Sequence, residues 1–181
     1  FMAGAFFRAA GRPAVLLTIP GPGFAYALAG LAEERLDSAA MIYLVPDCDE
    51  GPDARFTLQA IPQTSLAANL AKAVLRVDSL AEITPAMHRA HALATSGEPG
   101  PVVVLLGASS AAGPREVLAV ESAARSAVGT APTGTLGGLT ARVAAARRPV
   151  IFAGQGCTAS APALQVLVER LGAPLLTTPS A

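Results

Sequence analysis

The sequence lacks a dense set of cysteines and any concentration of charge of one sign. Its only cysteines, Cys48 and Cys157, are far apart and outside any CxxC spacing. This excludes a disulfide framework and a cysteine zinc site, and it suits a reducing compartment in which we expect both thiols to be buried. Thirteen Lys and Arg balance thirteen Asp and Glu without a basic run. We therefore expect no nucleic-acid partner.

Long apolar runs and a leader pattern are missing too. No stretch approaches the ~20 apolar residues that a membrane helix needs. The first residues do not form a basic region followed by a cleavage site. We therefore predict a cytoplasmic protein without a membrane partner. An amphipathic pattern begins at Phe1 with no capping residue before it, so we expect a piece of a longer protein.

What the sequence does have is a regular alternation of apolar runs and helical patterns, with 52% hydrophobic residues overall. Runs at 14–19, 40–45, 73–77 and 101–106 fit buried parallel strands. Helical patterns lie between them, including 64–72 and 79–94, where we take Thr84 and Pro85 as the cap and first turn. This pattern predicts an α/β fold with a parallel sheet flanked by helices.

The chain divides into three parts by composition. We place a first α/β domain at 1–107 and a linker rich in Ala, Ser, Gly and Pro at 108–133. Strand and helix patterns resume at 134–181, which predicts the first half of a second, Rossmann-like α/β domain.

The turn Gly21-Pro22-Gly23 joins the first predicted strand to a helix. Pro20 and Pro22 have no N–H group and neither Lys nor a hydroxyl follows, so the turn does not fit a phosphate cradle. Glycine has no Cβ, so a flat ring could approach this backbone closely. A plain strand-to-helix turn fits the same residues and stays open as the alternative.

Three other patterns carry weaker signals. Gly154–Ala159 matches GxGxxA after a strand, but no acidic residue ends the next strand, so ordinary packing is the favoured interpretation over nucleotide binding. His88 and His91 lie three apart on a helix without a third ligand, and we interpret them as surface imidazoles. The acidic stretch 46–53 lacks the order of a calcium loop. We predict no metal site in this chain.

The order of segments along the chain carries a family resemblance. The stretch FMAGAFFRAAGRPAVLLTIPGPGFAYALAGLAEERLDSAAM resembles the pyrimidine-binding domain of thiamine-diphosphate enzymes of the acetolactate synthase, pyruvate oxidase and benzaldehyde lyase type. The residues that match the family pattern there are Phe7, Arg8, Gly11, Pro13, Gly21, Pro22, Gly23, Gly30, Asp37 and Ser38.

Later segments continue the resemblance. TLQAIPQTSLAANLAKAVLRV is similar to a family segment that places Gln59 before a helix and Lys72 before a strand. ATSGEPGPVVVLL resembles the last strand of the same domain, whereas AARRPVIFAGQGC and LVERLGAPLLTT resemble the start of the family's central domain. The resemblance covers nearly the whole chain apart from the linker.

The resemblance implies roles for named residues. In this family the Gly-Pro-Gly turn flanks the aminopyrimidine ring of thiamine diphosphate at an interface between subunits. It therefore assigns cofactor binding to Gly21, Pro22, Gly23 and Tyr26. It makes Gln59 the catalytic candidate facing the substrate, with a surface amide at a helix start as the alternative. Mg²⁺ would be bound by a C-terminal domain, and the central domain would hold FAD, ADP or nothing.

The activity that the resemblance implies is C–C bond cleavage or ligation by a lyase, decarboxylase or transferase. The substrates would be 2-keto acids or 2-hydroxy ketones, and the enzyme a homodimer or homotetramer. The family's activating glutamate would lie about five residues before Phe1. The diphosphate-binding Gly-Asp-Gly motif is also missing from the sequence, so we expect this chain alone to be inactive.

Three departures leave the exact reaction open. Pro20 stands where Ser is frequent in the family, Tyr26 stands where Asn is frequent, and VVVLLGASS lacks the Pro and Asp that commonly follow the last strand. Two other function classes stay as alternatives: a fragment of a nucleotide-binding Rossmann dehydrogenase that uses the Gly154 turn, and a non-catalytic regulatory or scaffold homologue.

Overall fold

The computed structural model describes residues 1–48, 56–107 and 136–179. The chain divides into two compact units, Phe1–Ala127 and Val128–Ala181. The predicted linker at 108–133 lies outside the described residues, so the predicted domain bounds stay a prediction.

The first unit contains four strands and four helices. In chain order they are α1 (Met2–Ala10), β1 (Ala14–Leu17), α2 (Pro22–Leu36), β2 (Met41–Pro46), α3 (Gln63–Ala68), β3 (Ala73–Val77), α4 (Leu80–Thr95) and β4 (Pro101–Leu106). The strands form one parallel sheet in the order β1-β2-β4-β3. All four predicted strands are present, and the predicted α/β class is confirmed.

The two central strands are apolar along their whole length because both of their faces are covered. In β2, Met41, Tyr43 and Val45 pack on one face with Phe24 and Leu31 of α2. The alternate side chains pack on the other face with α4 and with Phe7 of α1. The edge strand β1 instead alternates half-buried and exposed residues. Two layers of helices therefore enclose the sheet.

The second unit is smaller. It contains α5 (Leu136–Ala144), β5 (Ile151–Ala153), a 3₁₀ helix (Gln155–Ser160), α6 (Ala161–Leu171) and β6 (Leu175–Thr177). β5 and β6 pair in parallel, with Ile151 opposite Leu175. Gly172 ends α6 with a left-handed φ of 55°, as predicted. No helix among the described residues is both long and apolar enough to cross a membrane.

The prediction for the start of α4 was wrong. The helix begins at Leu80 after Ser79, which has extended backbone, and Pro85 lies inside it. The Glu82 carboxylate in the first turn accepts the backbone N–H of Asp78 at 3.1 Å. This contact satisfies a donor ahead of the helix, as in a capping box, and it favours a start one turn before Pro85.

The helix predicted at 64–72 is shorter than expected. It ends at Ala68 because the following residues turn toward the sheet. The backbone N–H of Lys72 donates to the carbonyl oxygen of Pro101 at 2.8 Å, so this segment is already joined to the start of β4.

The prediction of two buried thiols was also wrong. Cys48 and Cys157 are both half-exposed and free. Cys48 follows β2 in a loop, and Cys157 lies in the 3₁₀ helix. Each position is at the end of a strand rather than within the packed layers, which explains the exposure.

Candidate functional site

The carboxyl ends of the four parallel strands lie along one edge of the first unit's sheet. Ligands of open α/β sheets bind outside this edge. The Gly-Pro-Gly turn follows β1 there, Asp47 follows β2, and Asp78 follows β3. A ligand site is therefore expected at this edge of the sheet.

Gly21 occupies a position that only glycine fits. Its φ of 61° and ψ of −110° place it where side chains are disfavoured. A Cβ on Gly21 would also overlap the carbonyl oxygen of Gln59 and lie 2.8 Å from its Cα. Gln59 itself has a positive φ of 67°. Two of the predicted site residues are thus packed backbone to backbone.

The buried side chain of Gln63 holds the turn, and sequence reasoning missed it. Gln63 is 1% exposed. Its Oε1 accepts the N–H of Gly21 at 2.8 Å. Its Nε2 donates to the carbonyl oxygen of Pro46 at 2.9 Å and to Oδ1 of Asp47 at 2.8 Å. In the sequence Gln63 is a polar residue at a helix start, which gives no signal of burial.

An ion pair extends this group of contacts to β3. Arg76 Nη1 donates to Oδ2 of Asp47, and its Nε donates to Oδ1 of Asp78 at 3.0 Å. Burial lowers the pKa of Arg76, but the carboxylates of Asp47 and Asp78 outweigh it and raise the pKa overall. The backbone N–H of Asp47 donates to the carbonyl oxygen of Leu106 at 2.7 Å. All four strand ends are linked in this way.

A pocket of about 250 Å³ lies beside the turn. Gly23 and Tyr26 line it, as do Thr18 and several apolar side chains, among them Leu31 and Met41. A Cβ on Gly23 would lie 2.6 Å from the side chain of Ile19, so Ile19 leaves no room for a side chain at this position of the pocket wall. The pocket is mostly apolar, with hydroxyl groups on Thr18 and Tyr26, which suits a flat ring and not a diphosphate.

The predicted residues do not all meet in this pocket. Gly23 and Tyr26 line it, and Tyr26 is 88% exposed. Pro22 is exposed at the first turn of α2, and Gly21 and Gln59 lie on the side of the turn that faces Gln63. The roles assigned to these residues stay predictions.

Tyr43 contacts Thr18, one of the residues that line the pocket. Its ring is fully buried and stacks on Phe24, with centroids 5.6 Å apart. Thr18 Oγ1 donates to the carbonyl oxygen of Ile19 at 3.1 Å, and it lies 2.7 Å from the Tyr43 hydroxyl. Either hydroxyl can be the donor of this second contact. The contact with the buried Tyr43 holds the Thr18 hydroxyl in place at the pocket wall.

The protonation of Tyr43 predicts a loss of stability at alkaline pH. Burial raises the pKa of Tyr43 above 10.0, and the hydrogen bond to Thr18 opposes this in part. The folded chain thus keeps the proton to higher pH than the unfolded chain. The contribution is complete below about pH 10 and is lost as the pH rises through the folded pKa.

We expect the free energy of unfolding to fall less between about pH 9 and about pH 11 in Tyr43→Phe than in the wild type. Urea denaturation at each pH measures both proteins. Burial lowers the pKa of Lys72, helped by Arg35 and opposed by Glu98, which gives the opposite trend. Both proteins share that trend, so it cancels in the comparison. The exposed Tyr26→Phe is the control. Parallel curves for wild type and Tyr43→Phe would contradict the assignment.

Other sequence candidates lie away from this edge or outside the description. His88 and His91 are both exposed on α4. In residues 1–48, 56–107 and 136–179, no group of three His, Cys, Asp or Glu side chains could hold a metal ion. Most of the acidic stretch at 46–53 lies outside the described residues.

The second unit has a pocket of its own, of about 430 Å³, at the carboxyl ends of β5 and β6. Gly154, Cys157 and Thr158 of the predicted GxGxxA turn line it, together with side chains of α6. The turn forms a 3₁₀ helix before α6 begins at Ala161. Ordinary packing was the favoured interpretation of this turn, and the structure places it beside a concave surface.

A comparison with known protein families matches the part of the chain that contains the first unit's pocket. The family "Thiamine pyrophosphate enzyme, N-terminal TPP binding domain" matches residues 1–66. This range contains the Gly-Pro-Gly turn, all residues lining the 250 Å³ pocket, and Gln59 and Gln63.

Similarity to curated proteins extends over both units. Acetolactate synthase 1, chloroplastic, of Oryza sativa subsp. japonica is 31% identical over 193 residues, which cover 98% of this chain and 28% of that protein. Acetolactate synthase 2, chloroplastic, of Zea mays is 32% identical, covering 98% and 29%. A probable 2-ketoarginine decarboxylase of Pseudomonas aeruginosa is 28% identical, covering 98% and 32%.

The chain thus spans about 28% of the length of the acetolactate synthases that it matches. The matched domain and the end-to-end similarity lead to one family. The chain belongs to the thiamine-pyrophosphate-dependent enzymes, carries their N-terminal pyrimidine-binding domain, and is a distant homologue of acetolactate synthases over its whole length.

Proposed function

We propose that this chain forms the pyrimidine-binding part of a thiamine-diphosphate-dependent enzyme that cleaves or forms C–C bonds in 2-keto acids or 2-hydroxy ketones. The observation that carries the proposal is the apolar pocket beside Gly23 and Tyr26, which is lined by residues of β1 and α2. Two of the matched relatives are named as acetolactate synthases and a third as a probable decarboxylase, which supports this substrate class.

The pocket fits the pyrimidine end of the cofactor better than its diphosphate. Pro20 and Pro22 supply no N–H groups, and the N–H of Gly21 is already used by Gln63. A diphosphate would find few free donors at this turn. An uncharged ring needs none of them and gains from contact with Leu31 and Met41. The diphosphate and Mg²⁺ would be bound by residues outside this chain.

The chain's own residues would hold and orient the ring. Gly23 leaves its part of the pocket wall without a side chain, and Tyr26, which lines the pocket and is exposed, would cover the ring from solvent. Thr18, held in place by Tyr43, offers one fixed hydroxyl. Thiamine diphosphate, when bound, supplies an electron sink for reactions next to a carbonyl. We assign the substrate side to Gln59, whose amide can donate to a carbonyl oxygen without titrating.

The assembly and any second cofactor follow the same proposal. A site completed by another subunit requires at least a homodimer, or a homotetramer. In the second unit, the pocket at Gly154 is where FAD or ADP would be held, because its glycine turn lies at the carboxyl ends of two parallel strands.

The test is calorimetric titration of the polypeptide encoded by the complete reading frame that contains these residues. We expect saturable binding of thiamine diphosphate with Mg²⁺, and turnover of pyruvate or another 2-keto acid in parallel assays. NAD in place of the cofactor should give no heat of binding. A folded polypeptide that binds NAD but no thiamine diphosphate would favour the dehydrogenase alternative. One that binds neither would favour a non-catalytic homologue.

A further inference from the structure

We propose that Gln63 is the positioning residue of the Gly-Pro-Gly turn, setting the turn's place at the pocket by joining it to the ends of β2 and β3. The expected effect of Gln63 on cofactor binding rests on the proposed function. The claim that Gln63 holds the turn rests only on its own hydrogen bonds.

The amide of Gln63 can adopt only one orientation. Its oxygen accepts from the N–H of Gly21, and its nitrogen donates to two acceptors, the Pro46 carbonyl and the Asp47 carboxylate. Flipping the amide would place N–H against N–H and oxygen against two oxygens. Both N–H bonds of the amide nitrogen are therefore used and the oxygen has its donor, and burial excludes water as a replacement partner.

The partner that fixes Gln63 is itself fixed. Asp47 is 6% exposed, and its second carboxylate oxygen accepts from Arg76. Its backbone N–H is bonded to Leu106 at the end of β4. Gln63 therefore fixes the turn relative to the end of β2. The turn also contacts the sheet edge where Gly21 packs against the backbone of Gln59.

Without the Gln63 amide, the Gly-Pro-Gly turn would lose its hydrogen bond at Gly21, next to the proposed site of the aminopyrimidine ring. Gly21 precedes Gly23 and the first turn of α2, which line the pocket through Gly23 and Tyr26. A displacement of Gly21 would move both walls together. Glutamate at 63 would lose the donor to Pro46 and face Asp47 with a like charge. Methionine would keep the volume but make none of the three bonds.

The first measurement is amide hydrogen exchange of the ¹⁵N-labelled 181-residue chain without ligand. We expect Gln63→Met to raise the exchange rate of the Gly21 amide about tenfold, while the amide of Leu31 within α2 stays unchanged. The exposed neighbour Thr64→Val is the control and should leave Gly21 protected. Equal protection of Gly21 in wild type and Gln63→Met would overturn the proposal.

The second measurement is the affinity of the complete polypeptide for thiamine diphosphate with Mg²⁺. We expect Gln63→Met and Gln63→Glu to raise Kd about tenfold with kcat at saturation changed far less. Gln63→Asn, which keeps an amide but is shorter, should fall between them and the wild type. An unchanged Kd despite faster exchange at Gly21 would reduce Gln63 to a structural role and overturn the positioning claim.

The two measurements separate the two proposals. Faster exchange at Gly21 with no cofactor binding by the wild type would contradict the proposed function and, with it, a role for Gln63 in binding. Normal binding by the wild type with no exchange effect would contradict only the role of Gln63.

Discussion

Replacing Gly21 with alanine is expected to lower the free energy of unfolding by about 3 kcal/mol or more, the largest effect of any single substitution considered for this chain. Two causes add. Alanine is strained at φ 61°, ψ −110°, and its Cβ would meet the backbone of Gln59. Backbone cannot move aside as the end of a side chain can, so the turn itself must shift.

Gly11→Ala provides a control for a positive φ alone. Gly11 ends α1 in the left-handed helical region, with φ 64° and ψ 20°, and a Cβ there meets nothing within 4 Å. We expect it to cost only about 1 kcal/mol. Urea denaturation followed by circular dichroism measures both variants. Equal losses of unfolding free energy in Gly11→Ala and Gly21→Ala would contradict the close contact between Gly21 and the backbone of Gln59.

The second large effect is expected in the contact between α1 and α2. Glu34 is fully buried, and its Oε2 accepts from Arg8 Nη1 at 3.1 Å. Arg8 also pairs with Asp37. The Glu34 carboxylate occupies the space where a Cβ of Gly4 would lie. A buried carboxylate held by a cation has little freedom to move, so Gly4→Ala should cost about 2 kcal/mol.

A double-mutant cycle isolates this contact. Gly4 lies within a helix, where alanine is ordinarily more stable than glycine by about 0.5–1 kcal/mol. We therefore expect Gly4→Ala to change sign and become stabilising in a Glu34→Ala background. Denaturation of the wild type, both single variants and the double variant gives the coupling. The same loss in both backgrounds would contradict the close approach of Gly4 and Glu34.

Sequence reasoning predicted the sheet because the cause of the pattern is local. β2 and β4 are buried on both faces, so they appear as unbroken apolar runs such as MIYLV and VVVLL. Glycine at 172 ended α6 as predicted because a left-handed residue is needed there. The start of α4 was misplaced because Pro85 is a strong signal, whereas the Glu82 contact that sets the true start involves a backbone group outside the helix.

The roles of the predicted site residues stay predictions. Gly23 and Tyr26 line one pocket because they lie close together in sequence around the start of α2. Gln63 could not be found, since its contacts are with residues 42 and 16 positions away. An amide at a helix start is usually solvated, and only the packing of three loops at one sheet edge buries this one.

The most direct test of the proposed site is a crystal structure of the complete polypeptide with thiamine diphosphate and Mg²⁺ bound. The proposal predicts the aminopyrimidine ring in the 250 Å³ pocket, within about 4 Å of Gly23 and Tyr26. The N–H of Gly21 would still be bonded to Gln63. A ring bound elsewhere, with this pocket closed or filled by protein side chains, would contradict the central claim.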